Sequence, residues 1–187
     1  MYATNQFRKG LKIQSDGVPY SMVEFQHVSP GKGSAFTRTK LKNLLTQNIT
    51  ERTFKSVEKV EQANVEEKEM QFLFKDGSGF NFMDTSNYEQ IILNDSLMGE
   101  SAHYLIENLK IGVLFFNERP IGIDLPNFVE MKVVESDPAI KGDTVSGGSK
   151  IAKVETGLKV NVPLHIKEGD TIKVDSRTGD YSEKVNR

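Results

Sequence analysis

Residues 70–82 read MQFLFKDGSGFNF, and this stretch decides the fold class. Apolar side chains alternate with other residues on both sides of a glycine-containing loop, at Met70, Phe72, Phe74, Phe80 and Phe82. A period of two is typical of a half-buried β-strand, and two such strands around a short glycine loop form a hairpin. The sequence therefore predicts an antiparallel hairpin near the middle of the chain.

Further short strands are predicted on both sides of this hairpin. They cover residues 11–13, 19–28, 35–44, 50–54, 111–116, 121–125, 129–133, 160–166, 171–174 and 181–185. One helix is predicted over 96–109, where Met98, Ala102, Leu105 and Leu109 recur at helical spacing. Many short strands separated by turn residues predict an all-β protein built of small barrels.

The chain divides into three segments of similar length. The polar, acidic stretch 58–67 is predicted to be a linker, and Pro126-Asn127 marks a second break. The predicted domains are therefore 1–64, 65–127 and 128–187. The net charge of −2 hides an uneven distribution, since the three segments carry +5, −7 and 0. A basic first domain on an acidic middle domain suggests that the first domain binds a polyanion.

Catalysis finds little support in the sequence. The absence of cysteine excludes disulfides, thiolate metal sites and cysteine nucleophiles. The histidines His27, His103 and His165 belong to no recognised catalytic or metal-binding motif. We expect His103 and His165 to be solvated and His27 to be structural, with orientation of RNA as the alternative role of His27. We expect a protein that is not an enzyme, with no cofactor and no metal. No apolar run is long enough to span a bilayer and the first residues lack a signal-peptide pattern, so a cytoplasmic, non-membrane location is expected.

A lysine between two glycines stands out in the first segment. Residues 29–34, SPGKGS, lie between two predicted strands and are rich in turn formers. Pro30 fixes its own φ, and Gly31 and Gly33 permit unusual backbone conformations without shielding their neighbour. Lys32 is therefore predicted to project from a hairpin tip. An ordinary solvated turn lysine is the alternative reading of this local pattern.

The strand after this loop carries a basic stripe. Arg38, Lys40 and Lys42 occupy alternate positions of the segment 35–44. Alternate residues of a strand point to the same face, so these three side chains are predicted to form one row beginning near Lys32. Such a row suits the phosphates of a nucleic acid better than it suits base reading, although a merely solvated face remains open.

At this point the sequence resembles the bacterial elongation factor P family over essentially its whole length. The first match is Pro30-Gly31-Lys32-Gly33-Ser34-Ala35-Phe36 followed by Arg38, Lys40, Lys42 and Thr53-Phe54-Lys55. The most specific match begins at Lys150 and runs through Ala152, Gly157, Val160, Val162-Pro163 and Ile166 to Gly169. Tyr88-Glu89-Gln90, Lys141-Gly142-Asp143-Thr144 and the pattern at Asp175, Arg177, Gly179 and Tyr181 also fit.

The resemblance implies a fold and a function. The fold is an SH3-like (KOW-type) barrel followed by two OB-fold barrels, in an L shape that resembles tRNA. The family binds the ribosome between the P and E sites, stimulates peptide-bond formation and relieves stalling at consecutive prolines. Lys32 would be the lysine that a modifying enzyme extends, within the loop of Pro30, Gly31 and Gly33, and it would reach towards the P-site peptidyl-tRNA.

Other contacts are implied by the same resemblance. Arg38, Lys40 and Lys42 would bind tRNA or rRNA. The loop at Gly142, Asp143 and Thr144, with Lys150, would lie near the small subunit and the mRNA codon in the E site. Arg177 and Tyr181 would be site residues of the third domain. The second domain would lie near the uL1 stalk. A monomer is expected. Ser29, Ile151 and Lys184 depart from the common family residues, and the first of these departures bears on recognition by the modifying enzyme.

Two other functions compete with this reading. A carrier domain could hold biotin or lipoate on a hairpin lysine, but the usual flanking residues of such lysines are missing. A generic OB-fold binder of single-stranded nucleic acid would need exposed stacking aromatics. The phenylalanines here mostly alternate as core residues, which disfavours that function.

Overall fold

A computed structural model describes residues 1–138 and 148–185, and within them the fold is almost entirely β. Three separate sheets follow one another along the chain, as the strand patterns predicted. None of the helices in the described ranges has the length and apolar character needed to cross a membrane.

The first sheet has six strands. Their order in space is β1-β6-β2-β3-β4-β5. The strands are β1 (Tyr2–Ala3), β2 (Lys12–Ser15), β3 (Val18–Val28), β4 (Phe36–Asn43), β5 (Ile49–Lys55) and β6 (Lys59–Gln62). The hydroxyl of Thr4, just after β1, donates to the carbonyl of Ser56, just after β5, at 3.1 Å. This bond links the two ends of the sheet, which surrounds a core of Phe7, Leu11, Ile13, Met22, Leu41, Phe54 and Val60.

The second sheet has five strands in the order β11-β10-β7-β8-β9. They are β7 (Val65–Asp76), β8 (Gly79–Asp84), β9 (Gln90–Leu93), β10 (Lys110–Phe116) and β11 (Arg119–Asp124). Between β9 and β10 lie a short helix, α1 (Asp95–Met98), and a 3-10 helix over Gly99–Tyr104. The predicted hairpin is confirmed, because β7 pairs with β8 and Asp76 pairs with Gly79 across the turn.

The third sheet has five strands in the order β14-β13-β12-β15-β16. They are β12 (Phe128–Ser136), β13 (Ser149–Val154), β14 (Lys159–Pro163), β15 (Thr171–Asp175) and β16 (Tyr181–Lys184). The predicted alternation of Val129, Met131 and Val133 is confirmed, because all three side chains are buried in one core. The chain packs into two compact units, Met1–Lys68 with Val113–Gly122 and Glu69–Gly112 with Ile123–Arg187. The domain boundaries after residues 64 and 127 stay a prediction.

The predicted linker over 58–67 is wrong. Residues Lys59–Gln62 form β6, which pairs with both β1 and β2, and Val65 already begins β7. Only Val60 of β6 is buried. A short strand with one inward side chain and polar outward residues reads in sequence like a solvated connection.

The predicted helix over 96–109 is largely wrong. An α-helix exists only over Asp95–Met98, where the side chain of Asn94 accepts from the backbone N–H of Leu97 at 2.9 Å. Gly99 then adopts a positive φ of 48°, which an α-helix does not contain, and the chain continues as a 3-10 helix. Of the apolar residues that suggested one long helical face, Leu109 packs against the core of the third domain, as does the buried Tyr104.

Candidate functional site

The candidate site is built on the ribbon of β3 and β4. The two strands pair antiparallel from Tyr20 opposite Asn43 to Val28 opposite Phe36. The seven residues 29–35 between them form the tip of the ribbon. The register along the ribbon shifts once, between Met22 and Glu24, which identifies a β-bulge. The tip is therefore held by a long, paired stem, and at its end the carbonyl of Ala35 accepts hydrogen bonds from the backbone N–H and the hydroxyl of Ser56.

Lys32 lies at this tip and is exposed, as are Pro30, Gly31, Gly33 and Ser34. Its ammonium group forms no hydrogen bond or ion pair with any described residue. Gly33 has a φ of 116°, which L side chains rarely adopt, whereas Gly31 is not in that region. The predicted outward projection of Lys32 is confirmed, and one glycine rather than two carries the unusual backbone conformation.

The predicted single row of basic side chains on β4 is confirmed as geometry. Thr37, Thr39 and Leu41 are buried, so the residues between them point outward. Arg38, Lys40 and Lys42 are therefore neighbours on the outer face, spaced about 6.5–7 Å along the strand. The row begins just after the Lys32 tip.

The electrostatics of this row are less uniform than the sequence suggested. The ammonium of Lys40 lies 2.8 Å from a carboxylate oxygen of Glu24 on β3. The hydrogen bond and charge of Lys40 lower the pKa of Glu24, and those of Glu24 raise the pKa of Lys40. Glu51 on β5 is directly opposite Lys40 on the other side. The centre of the row is partly neutralised, and its free positive charge lies towards Arg38 and Lys42.

Two more lysines join the same outer face and were missed in the sequence. Lys55 is opposite Phe36 in the β4–β5 register, and Lys12 is opposite Ser21, which is opposite Lys42. Lys12 also donates to the hydroxyl of Ser21 at 3.1 Å. Their positions follow only from the cross-strand register, which the alternation within one strand does not give.

His27 stabilises the stem below the tip. Its Nδ1 lies 2.7 Å from the hydroxyl of the buried Thr37, and its ring packs edge-on against Phe25 with 5.7 Å between ring centroids. Both contacts join side chains of the β3–β4 ribbon. These contacts agree with the structural role expected for His27.

The other predicted site residues lie in the third domain. Lys150 is in β13 opposite Val162, and Tyr181 begins β16 and packs against the third core. Arg177 binds the carboxylate of Asp175 through its Nε at 3.0 Å and its Nη2 at 2.6 Å, which lowers the pKa of Asp175 to about 2. Gly142, Asp143 and Thr144 lie outside the described residues. In residues 1–138 and 148–185, no group of three or more histidine and acidic side chains could hold a metal ion.

Comparisons with known proteins cover the whole chain. Family models match in order: the elongation factor P KOW-like domain at residues 3–60, the elongation factor P OB domain at 65–123, and the elongation factor P C-terminal domain at 129–184. Elongation factor P of Bdellovibrio bacteriovorus is 54% identical over 187 residues, covering 100% of both chains. That of Moorella thermoacetica is 53% identical, covering 99% of this chain and 100% of its own.

Solved structures of low sequence identity share the fold. A translation initiation factor 5A from Methanococcus jannaschii superposes with a TM-score of 0.52 at 22% identity, covering 64% of this chain and 88% of its own. An initiation factor 5A family protein from Naegleria fowleri gives the same TM-score at 15% identity, covering 66% and 96%. These two likenesses concern the fold alone.

Proposed function

The chain belongs to the elongation factor P family and has a role in translation elongation, and from this premise we propose that it binds the ribosome between the P and E sites and relieves stalling at consecutive prolines. The observation that carries the proposal is the exposed Lys32 at the tip of a long, paired ribbon, with a row of basic side chains behind it. We propose that this monomer orders the P-site peptidyl-tRNA and performs no chemical step itself.

The chemistry of proline explains why ordering is enough. Proline is a secondary amine with a fixed φ, so it is a poor nucleophile and it constrains the nascent peptide. A factor that holds the peptidyl-tRNA in a reactive geometry lowers the barrier without touching the bond being formed. Positioning of this kind is worth up to about 7–11 kcal/mol in model reactions.

The residues divide this task between them. Lys32, extended by a modifying enzyme, reaches along the CCA end of the tRNA, where its flexible ammonium arm contacts phosphate and ribose. Arg38, Lys40 and Lys42 hold the backbone of tRNA or rRNA without reading its sequence. The tip of Pro30, Gly31 and Gly33 leaves Lys32 free of neighbouring side chains, so both the modifying enzyme and the tRNA can approach it.

The third domain supplies the contacts away from the peptidyl-transferase centre. We propose that Gly142, Asp143, Thr144 and Lys150 face the small subunit and the mRNA codon in the E site. Arg177 and Tyr181 would form part of the same domain's contact with the ribosome, and the second domain would lie towards the uL1 stalk.

The test is Lys32→Ala in a translation assay on a message that encodes consecutive prolines. Because Lys32 is exposed and unpaired among the described residues, the variant is expected to keep the melting temperature of the wild type and to lose relief of stalling. Relief at the wild-type level would refute the proposal. Intact-mass measurement of the natively expressed protein identifies any group on Lys32, and a mass shift typical of biotin or lipoate would favour a carrier domain instead.

Charge reversal tests the basic row separately. Lys42→Glu is expected to weaken ribosome binding and to reduce its salt dependence, because each phosphate contact releases counterions. Lys59→Glu, at an exposed lysine of β6 outside the row, makes the same change of charge and serves as the control. Ribosome binding that does not depend on salt would contradict the role of the row.

A further inference from the structure

Arg52 joins two parts of the first domain that no backbone pairing connects. It lies on β5, the edge strand of the first sheet, and its Nη1 donates to the hydroxyl of Ser15 at 2.5 Å. Ser15 is the last residue of β2, just before the turn that leads into β3. The groove between these parts has a volume of about 390 Å³ and is lined by residues of β2, β5 and β6. Among the hydrogen bonds of the described residues, this is the one that joins β5 to the end of β2 across the groove.

The guanidinium of Arg52 is also held by an aromatic ring. Its central carbon lies 5.0 Å from the centroid of the Phe54 ring. Phe54 is buried and packs edge-on against Phe7, with 5.4 Å between the ring centroids. A planar guanidinium can stack on an aromatic ring and still donate hydrogen bonds in its own plane. The contact with Phe54 therefore anchors Arg52 on the core, and the bond to Ser15 gives the connection a defined direction.

Two cross-strand rows connect this part of β5 to the stem below Lys32. Directly paired residues on antiparallel strands point to the same face of the sheet. Because neighbouring residues of a strand point to opposite faces, both rows lie on the face of the ribbon that is opposite to the basic row. The first row consists of Arg52, Thr39 and Phe25, and the second consists of Phe54, Thr37 and His27.

The middle residue of each row is a buried threonine that bonds to a neighbouring strand. The hydroxyl of Thr39 donates to the backbone carbonyl of Arg52 at 2.8 Å. The hydroxyl of Thr37 lies 2.7 Å from Nδ1 of His27. These side-chain bonds tie β4 to β5 on one side and to β3 on the other, in addition to the backbone pairing. The position of Arg52 is therefore coupled to both strands of the stem.

The length of the stem magnifies a change at its base. Beyond the bulge after Met22, β3 continues from Glu24 to Val28, which spans about 13 Å at 3.2–3.4 Å per residue. A tilt of about 10° at the bulge would move the far end by about 2 Å. A displacement of about 1 Å can cost a reaction about a hundredfold in rate when it misplaces the reacting groups. Since the row of Arg52 meets β3 at Phe25, just beyond the bulge, Arg52 is well placed to hold this angle.

We propose that Arg52 is a positioning residue that directs Lys32 through the stem. By joining β5 to the turn before β3, it closes a ring of three paired strands, β3, β4 and β5, and sets how strongly the sheet curls below the tip. Arg52 acts through its bond to Ser15 and not through a contact with RNA. The inference rests on the proposed function for the task of Lys32, but the direction of the stem can be measured without the ribosome.

Distances between two spin labels test the positioning in the free protein. The chain contains no cysteine, so labels attach only at Ser34→Cys in the tip and Gln62→Cys on β6. Arg52→Ala and Ser15→Ala are each expected to shift or broaden the distance distribution by about 2 Å relative to the wild type. Lys59→Ala removes another cation that lines the groove and is expected to leave the distribution unchanged. Wild-type distributions in both Arg52→Ala and Ser15→Ala would overturn the proposal.

The kinetics of proline–proline bond formation separate positioning from RNA binding and from a loss of folding. Arg52→Ala is expected to lower the maximal rate at saturating factor about tenfold and Ser15→Ala about threefold. For both variants, the factor concentration that gives half of the maximal rate should stay within twofold of the wild-type value. A variant that is partly unfolded, or that has lost an RNA contact, would instead need more factor to reach the wild-type maximum. That result for Arg52→Ala, or full activity of Ser15→Ala, would overturn the proposal.

The double variant tests whether the two residues act together. Arg52→Ala combined with Ser15→Ala is expected to be no slower than Arg52→Ala alone, because both substitutions remove the same hydrogen bond. Losses that multiply would contradict the coupling. If wild-type protein does not relieve proline stalling, the proposed function fails, and the spin-label distances still decide whether Arg52 directs the tip. If it relieves stalling but both variants keep the wild-type distances, only the positioning inference fails.

Discussion

The ammonium of Lys40 is paired with the carboxylate of Glu24 on the neighbouring strand, at 2.8 Å and in the middle of the basic row. The pair is exposed, so it contributes little to folding stability. It does, however, place a negative charge where a phosphate would bind. Lys40 can contact RNA only by exchanging or sharing its carboxylate partner.

Glu24→Gln is therefore expected to increase ribosome affinity about two- to threefold at low salt and to steepen the dependence of log K on log salt by less than one unit. The substitution keeps the size of the side chain and one oxygen that can accept from Lys40, while it removes the charge. Affinity measured over a series of salt concentrations gives both quantities. A decrease in affinity would mean that Glu24 holds Lys40 in its binding position.

The two glycines beside Lys32 are expected to differ in their tolerance of substitution. Gly33 has a φ of 116°, so Gly33→Ala strains the tip and redirects Lys32. Gly31 has no such positive φ, and a Cβ added to it would meet no atom within 4 Å. Gly33→Ala should reduce relief of proline stalling roughly tenfold with little change in melting temperature, and Gly31→Ala should preserve it. Equal activity of the two variants would show that the direction of the tip is unimportant.

The ion pair of Asp175 and Arg177 should make the folding stability depend on pH in the acidic range. The Arg177 guanidinium, followed by the Arg177 backbone N–H, lowers the pKa of Asp175 from 3.8 to about 2. A lowered pKa in the folded state means that the stabilisation is fully present above about pH 4 and is lost as the pH falls to about 2. The melting temperatures of wild type and Asp175→Asn should differ most at neutral pH and converge over this range. Asp180→Asn is the control, and a constant difference would contradict the assignment.

We expect a substitution of Tyr88 to stabilise the protein. Its φ is 62°, a conformation that is unfavourable for a bulky side chain, and its side chain is 71% exposed. Its backbone N–H donates to the carbonyl of Asp84 at 2.9 Å, which holds the turn closed. Tyr88→Asn should therefore raise stability by about 1 kcal/mol, or the melting temperature of the transition by about 2–4 °C. Tyr88→Phe should change neither, and destabilisation by asparagine would reveal a contact of the ring.

The strands of the fold were predictable because their apolar residues alternate, but the irregularities were not. Phe74 continues the alternation of Met70 and Phe72 in sequence, yet it is exposed. The register of the hairpin shifts between Phe72 and Phe74, so a bulge at Leu73 turns Phe74 to the outer face. A bulge depends on pairing with another strand, and a pattern read along one strand does not contain that information.

Prediction of the candidate site from the sequence was limited in the same way. The projection of Lys32 and the common face of Arg38, Lys40 and Lys42 followed from local residue types and a period of two. The partial neutralisation by Glu24 depends on which residue of β3 lies opposite Lys40, and the β-bulge after Met22 sets that register.

The stem below Lys32 restricts how the length of the ribbon can evolve. Unless a bulge absorbs it, one residue inserted at the start of β4 would turn Arg38, Lys40 and Lys42 inward and expose the buried threonines beside them. Where no further bulge forms, insertions of two residues in each strand preserve both faces, and each such step moves the tip by about 6.6 Å. With regular pairing, the reach of the tip therefore changes only in whole pleats of the ribbon, so finer adjustment falls to the side chains at the tip itself.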